Sequence, residues 1–315
     1  MQYGDFISVI IPVYNRAATL ARSVGSICRQ TYPNLEILVI DDCSTDNIEG
    51  AVAALNDPRV RLVRRAQNGG AAAARNTGVA SATHDLIAFM DSDDVSLHDR
   101  FEQEMRLLCT LPEDYIGVYS AAIAHTDTTE QMRSMAAARV LPPPHRRMLS
   151  GDLFAETLRG NFIDMPTMLL KKDAVLAAGR FDERLRNNVD WDFTLRLTQQ
   201  GKFGFVPQPL YVFSYVPRVS HGNDHISHNP RYSVLSYSYI TGKLRRAGHK
   251  GPEMAGHYAA AGSYLMRIGR PALARRYFEA ARCITPRNPR LWAHLVLSRL
   301  PVLHGWARGR AARFS

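Results

Sequence analysis

The sequence predicts an α/β fold with a mostly parallel central sheet, followed by a C-terminal helical extension. Three observations carry this. Short apolar segments rich in β-branched residues alternate with helical segments over residues 8–90. Each strand candidate ends in a polar cluster, and beyond about Pro230 the strand-like runs give way to helices punctuated by Gly and Pro.

In chain order, strands are predicted at Ser8 to Pro12, Glu36 to Ile40, Val60 to Val63 and Leu86 to Met90. Helices are predicted between them at Thr19 to Arg29, Asn47 to Leu55 and Ala71 to Ala80. Ligands of parallel sheets bind outside the carboxyl ends of the strands. The clusters YNR (Tyr14 to Arg16), DDCSTD (Asp41 to Asp46), NGG (Asn68 to Gly70) and DSDD (Asp91 to Asp94) are therefore expected to meet on one edge. In the mixed middle, YIGVYSAAIAH and FGFVPQPLYVFSYV read as strands and DWDFTLRLTQQG as a helix closed by Gly201. Four helices follow, at Ser233 to Arg246, Pro252 to Ile268, Pro271 to Cys283 and Pro289 to Leu300. The stretch AAAGSYLMRIGRPALARRYFEAARCITPRNPRLW resembles a tetratricopeptide helix pair. One pair cannot bury the continuous face of a solenoid, which needs about three repeats, so it reads as a packed extension.

At 315 residues and 46% hydrophobic, the chain can bury a sizeable core. A formal net charge of +10 and a pI near 9.7 suit acidic partners: nucleotides, nucleic acid or an anionic membrane surface. Nucleic acid is the weakest of these, because the basic residues read as scattered and no interleaved aromatic motif is visible. Cys28, Cys43, Cys109 and Cys283 form no CxxC pair, so neither a zinc site nor a disulfide framework is suggested, and free thiols in the cytoplasm are expected. The opening MQYGDFISVIIPVYN lacks a basic region and a cleavage site and reads as a strand, not a signal peptide. The apolar stretch LWAHLVLSRLPVLHGW falls short of the roughly 20 apolar residues of a membrane span.

LIAFMDSDD sets three carboxylates at the end of a buried strand, where they repel one another unless a cation joins them. Mg²⁺ or Mn²⁺ is the natural candidate, since hard cations take carboxylate and phosphate oxygens. The structural alternative is capping of a helix beginning in DDVSLHDRFEQE. NGGAAAARNTG fits neither the P-loop nor GxGxxG, but a Gly pair before a helix, with Arg75 one turn in, attracts diphosphate. Ala71 to Ala74 read as close helix–sheet packing, and Ser44 and Asp46 as caps of the following helix.

SVIIPVYNR, LVIDDCSTD, NGGAAAARNTGVA, FMDSDD and FDERLRNNVDWDFTLRL, in this order and spacing, resemble the inverting family 2 glycosyltransferases. The resemblance covers residues 6 to 217 and implies the nucleotide-sugar-binding architecture called GT-A. It implies a catalytic domain over 1–230, which leaves the helical extension with its tetratricopeptide-like pair and basic tail over 231–315. It further implies a pyrimidine cradle at Pro12, Val13 and Tyr14, and a carboxylate, Asp42, accepting from the uracil ring NH. Arg75 would bind the diphosphate and Asp91 would lie near the ribose, with Ser92 beside it. Asp93 would be the principal metal contact, supported by Asp94.

Inversion needs one base to take the acceptor proton, and the resemblance assigns that role to Asp190, with Trp191 bordering a sugar. The family's usual Glu-Asp is Val189-Asp190 here, so the base's acidic neighbour is lost. Asp192 reads as a first-turn helix acid. In RVSHGNDHISH, His221 is a candidate metal contact, with a solvent-exposed loop histidine as the alternative. LPPPHRR reads as a surface loop bordering the acceptor side, and the basic amphipathic tail as a candidate for peripheral contact with the inner face of an anionic membrane, or as a solvated helix end. The expected activity is metal-dependent transfer from a nucleotide-diphosphate sugar, foremost a UDP-sugar, to a hydroxyl of a glycan or lipid-linked acceptor in cell-surface polysaccharide synthesis. The rivals are a nucleotidyltransferase, for which a GxGTR-like opening is missing, and a non-catalytic binding protein.

Overall fold

The computed structural model describes residues 4–126, 139–142, 149–215 and 229–299. They divide into two compact units, one holding residues 4–183 and 189–215, the other 184–188 and 229–299.

The first unit opens with β1 (Ile7–Val13), α1 (Ala17–Cys28), β2 (Leu35–Asp41), α2 (Ile48–Ala53), β3 (Val60–Arg64), α3 (Gly70–Ser81) and β4 (Leu86–Phe89). These strands pair in parallel in the order β3-β2-β1-β4. Every residue of β1 is buried because both of its faces are covered. On one face Ile7, Val9 and Ile11 meet Leu20, Val24 and Ile27 of α1. On the other, Ile10 packs with Ala72 and Ala74 of α3. A Cβ on Gly78 would collide with Ile10 Cγ2, so small residues let α3 lie directly on the sheet. Ala71 itself is exposed.

Beyond β4 the sheet turns antiparallel. It continues through β5 (Val95–Ser96), α4 (Arg100–Leu108), β6 (Tyr115–Thr126), β7 (Arg139–Leu141), α5 (Phe154–Arg159), a 3₁₀ turn at Met165–Thr167, β8 (Met168–Lys171), α6 (Lys172–Ala177), α7 (Val189–Leu197) and β9 (Lys202–Tyr215). The order is β3-β2-β1-β4-β8-β6-β9-β5, with β7 beside β6; β8 runs against β4 and β6, while β9 runs parallel to β6. The register of β6 and β9 shifts at Val206 to Pro209, where two prolines remove ladder donors.

The structural alternative for DSDD, helix capping, fails here. No helix begins directly after DSDD: Val95–Ser96 is a strand paired with β9, and α4 starts at Arg100 behind Asp99. Asp93 and Asp94 therefore cap nothing. α4 also holds a fully buried ion pair, Arg100 Nε to Glu104 Oε1 at 3.0 Å, with the guanidinium 4.7 Å from the Phe101 ring centre.

The second unit contains α8 (Pro230–Arg246), α9 (Glu253–Arg267), α10 (Pro271–Ile284) and α11 (Pro289–Leu297), each packed on the next. Its core includes Leu265, Ala274, Phe278 and Leu295. Gly262 lets the Phe278 ring approach the backbone of α9. No helix among the described residues is long and apolar enough to cross a membrane.

Candidate active site

The parallel register brings the loops after β1, β2, β3 and β4 to one edge, as expected. The ladder runs on into them: Asp42 N donates to Val13 O at 2.9 Å, Arg65 N to Asp41 O at 2.8 Å, and Met90 N to Ile10 O at 3.0 Å. Pro12 and Val13 are buried strand residues, whereas Tyr14 is 48% exposed.

The β1 and β2 loops clasp each other. Asn15 N donates to Ser44 Oγ at 3.0 Å, and Ala17 N donates to Asp46 Oδ2 at 2.7 Å. Asp46 thus serves the first turn of α1, while Asn47 caps α2 by accepting from Gly50 N. The expectation that Ser44 and Asp46 cap the following helix is overturned, because parallel neighbours bring the two loops side by side.

Asp42 is buried, and its carboxylate is occupied from within the chain. It pairs with Arg65 and accepts from Gly69 N at 3.1 Å and Gly70 N at 2.6 Å. A carboxylate offers about four lone-pair sites, so this arrangement leaves little capacity for a ring NH and instead anchors the glycine turn before α3.

The DSDD segment is fixed by its backbone. Ser23 Oγ donates to Asp91 O at 2.9 Å, Thr19 Oγ1 to Ser92 O at 3.0 Å, and Arg22 to Asp93 O at 2.8 Å. Residues three and four apart share one helix face, so a single face of α1 holds three successive carbonyls. The carboxylates then diverge. Asp91 accepts from Arg75 at 2.7 Å and Asp93 from Arg16 at 2.7 Å, with side chains 37% and 26% exposed.

Asp94 points inward, contrary to its expected support of a metal. Its Oδ2 accepts from the Tyr211 hydroxyl at 3.0 Å, which in turn accepts from Asp91 N at 3.2 Å. Pairing of β5 with β9 sets Tyr211 there, and burial together with the Asp94 and Asp91 carboxylates holds its hydroxyl protonated. Ser92 is likewise buried. His221, the LPPPHRR segment beyond Pro142 and the part of the basic tail beyond Arg299 lie outside the described residues.

Asp190 sits in the first turn of α7, and its Oδ2 accepts from Asn161 Nδ2 at 2.9 Å. Burial raises its pKa; a backbone NH from Trp191 and the Arg75 charge oppose the rise, and the Asp91 charge adds to it. Asp164, just before the 3₁₀ turn, is pushed up to about 7 by burial and then by the charges of Asp190 and Asp91. Arg75 pairs with Asp91, and its Nε finds no acceptor among the described residues. Trp191 is 3% exposed and donates its indole NH to Thr157 O at 2.8 Å, so it belongs to the core and not to a sugar-facing wall. Asp192 is spent on Arg196, accepting from Nε at 3.1 Å and a terminal NH₂ at 2.9 Å.

Asn161, Asp164, Arg65 and Tyr211 escape the sequence reading. Asn161 and Asp164 stand in GNFIDMPT, whose local pattern says only that a turn precedes a proline, and Tyr211 looks like any strand aromatic.

Among the described residues no three His, Cys, Asp or Glu side chains gather closely enough to hold an ion alone. A Mg²⁺ or Mn²⁺ that shares its shell with substrate phosphates needs only one or two carboxylates. Asp91 and Asp93, each accepting from one arginine, are the partly exposed carboxylates of this segment.

The family model "Glycosyl transferase family 2" matches residues 8–173, more than half of the chain. An uncharacterized glycosyltransferase of Rickettsia conorii is 31% identical over 229 residues, 72% of this chain and 35% of that protein. The Escherichia coli UDP-Glc:alpha-D-GlcNAc-diphosphoundecaprenol beta-1,3-glucosyltransferase WfgD is 39% identical over 102 residues, 32% of this chain and 40% of its own. The matches thus span little more than a third of these relatives' length. The crystal structure of Staphylococcus aureus TarS 1-349 in complex with UDP-GlcNAc superposes with a TM-score of 0.67 at 16% identity, covering 96% of this chain and 88% of that one. This likeness establishes the GT-A fold. With its opening strands, acidic strand end and glycine-led helix all inside the matched region, the chain belongs to glycosyl transferase family 2.

Proposed function

We propose that the chain catalyses inverting transfer from a nucleotide-diphosphate sugar, foremost a UDP-sugar, to a hydroxyl of a glycan or lipid-linked acceptor in cell-surface polysaccharide synthesis. The observation that carries the reading is Arg75, paired with Asp91 at 2.7 Å, whose positive charge also favours the ionised form of the half-buried Asp190. One guanidinium thus links the diphosphate side of the cleft to the base. The E. coli relative is by name a UDP-glucose enzyme with a lipid-diphosphate-linked acceptor, and TarS was crystallised with UDP-GlcNAc, which supports the donor and acceptor classes.

In this reading Asp190 takes the proton of the acceptor hydroxyl while the oxygen attacks the anomeric carbon. The bond to the diphosphate breaks on the opposite face. Arg75 meets the charge developing on the leaving nucleotide. A divalent cation, held by Asp93 and Asp91, would neutralise further diphosphate charge. Burial suits Asp190 to the task, because a base with a raised pKa accepts a proton more readily.

The test is calorimetry of UDP with Mn²⁺, followed by nucleotide-sugar turnover with product analysis. Wild type should bind UDP in a Mn²⁺-dependent manner and release free UDP, and Asp93→Ala should lower the affinity roughly tenfold or more. Mn²⁺-independent affinity unchanged by Asp93→Ala, or transfer of nucleotide monophosphate, would overturn the reading.

A further inference from the structure

The basic surplus of the chain is not scattered. Residues 229–299 hold thirteen Arg and Lys against two carboxylates, Glu253 and Glu279. This stretch alone exceeds the net charge of +10 of the entire chain, so the rest is on balance acidic. Most of these basic side chains are exposed.

The same unit leaves an apolar face open. α11 buries Leu291 and Leu295 but exposes Trp292 at 50%, Val296 at 55% and Leu297 at 42%. Trp292 and Val296 stand one turn apart, and the indole is fixed by donating to Pro286 O at 3.0 Å while the Arg282 guanidinium sits 5.0 Å from the ring centre. Arg287 and Arg290, both exposed, flank the start of the helix.

We infer that the helical unit docks on an anionic phospholipid surface, with Trp292, Val296 and Leu297 entering the headgroup region and the surrounding arginines meeting lipid phosphates. Charge selects this occupant. A second copy would bring another strongly basic unit, and residues 300–315 add three arginines and no carboxylate, so neither neutralises the surface. A nucleic acid would meet the charge but leave Val296 and Leu297 without an apolar partner, whereas amphipathic basic helices with aromatic residues lie in the membrane interface. The inference does not rest on the catalytic reading.

The test is vesicle flotation of the full chain, with UDP calorimetry on the same preparation so that failure of one reading is distinguishable from failure of the other. The protein should float with vesicles of phosphatidylcholine and phosphatidylglycerol but not with phosphatidylcholine alone, and binding should fall about tenfold or more in high salt. Trp292→Ser with Val296→Ser, and separately Arg287→Glu with Arg290→Glu, should each weaken flotation severalfold while circular dichroism stays that of the wild type. An acid at position 290 lies in the first turn of α11, where helices tolerate it well. Equal binding to both vesicle types, no flotation, or flotation indifferent to both variant pairs would overturn the inference. So would tighter binding to an oligonucleotide than to anionic vesicles, or a dimer that the Trp292 and Val296 changes dissolve.

Discussion

Asn161 donates its side-chain NH to Oδ2 of Asp190 at 2.9 Å, across 29 residues of sequence. The carboxylate assigned as base is thus aimed from a loop that no motif marks. Asp190→Asn should reduce transfer by roughly 10² to 10⁴ with UDP affinity kept. Because burial raises the pKa of Asp190, the acid limb of the pH–rate profile should lie above the ordinary carboxylate range, with activity lost as pH falls through it. Asn161→Ala removes a bond that favours the charged form, so the limb should move further upward. A profile flat down to the ordinary carboxylate range would refute the assignment.

Asp164 gives a stability signature. Its pKa is about 7 in the folded protein against an ordinary 3.8, so over that window the folded state keeps a proton that the unfolded chain has lost. The contribution of Asp164 to stability must then fall as pH rises from about 4 to about 7. Asp164→Asn removes the charge penalty, so its melting temperature should gain on the wild type steadily across this window and hold the gain above it. Parallel melting curves at all pH values would disprove the shift.

Tyr211 ties the acidic segment to β9 through two bonds of one hydroxyl. Tyr211→Phe removes both while keeping the ring, which should cost about 1–3 kcal/mol in urea unfolding. It should also weaken Mn²⁺-dependent UDP binding by loosening the segment that carries Asp91 and Asp93. Unaltered UDP affinity in calorimetry would limit Tyr211 to the core.

Glu104 and Arg100 are both fully buried, and burial pushes Glu104 up to about 7 in spite of its cationic partner. Glu104→Ala alone should destabilise by about 3–5 kcal/mol, since it strands a buried guanidinium. Arg100→Met combined with Glu104→Leu should recover most of that loss. Chemical denaturation of the single and double variants provides the check.

Much of the cleft is legible in the sequence. Runs such as SVIIPV, LEILVID and LIAF can be satisfied only as buried strands, and the short helical segments between them allow only parallel crossovers. That topology alone sends YNR, DDCSTD, NGG and DSDD to one edge. Local chemistry also foretells the small residues of α3, which Ile10 requires.

What escapes the sequence is where each side chain spends its hydrogen bonds. Asp42, Asp93 and Asp94 look alike in a string of letters. In the fold, one is filled by Arg65 and two glycine amides, one stays half-open beside Arg16, and one turns inward to Tyr211. Asp46 serves α1 and not the helix that follows it, and Trp191 sinks into the core through Thr157. The sequence by itself determined the four opening strands, their parallel pairing and the kinds of residue at the cleft, because periodicity and turn chemistry are local. The tertiary structure alone decided which carboxylates remain available, because burial, register and partners such as Asn161 and Tyr211 come from segments remote in the chain.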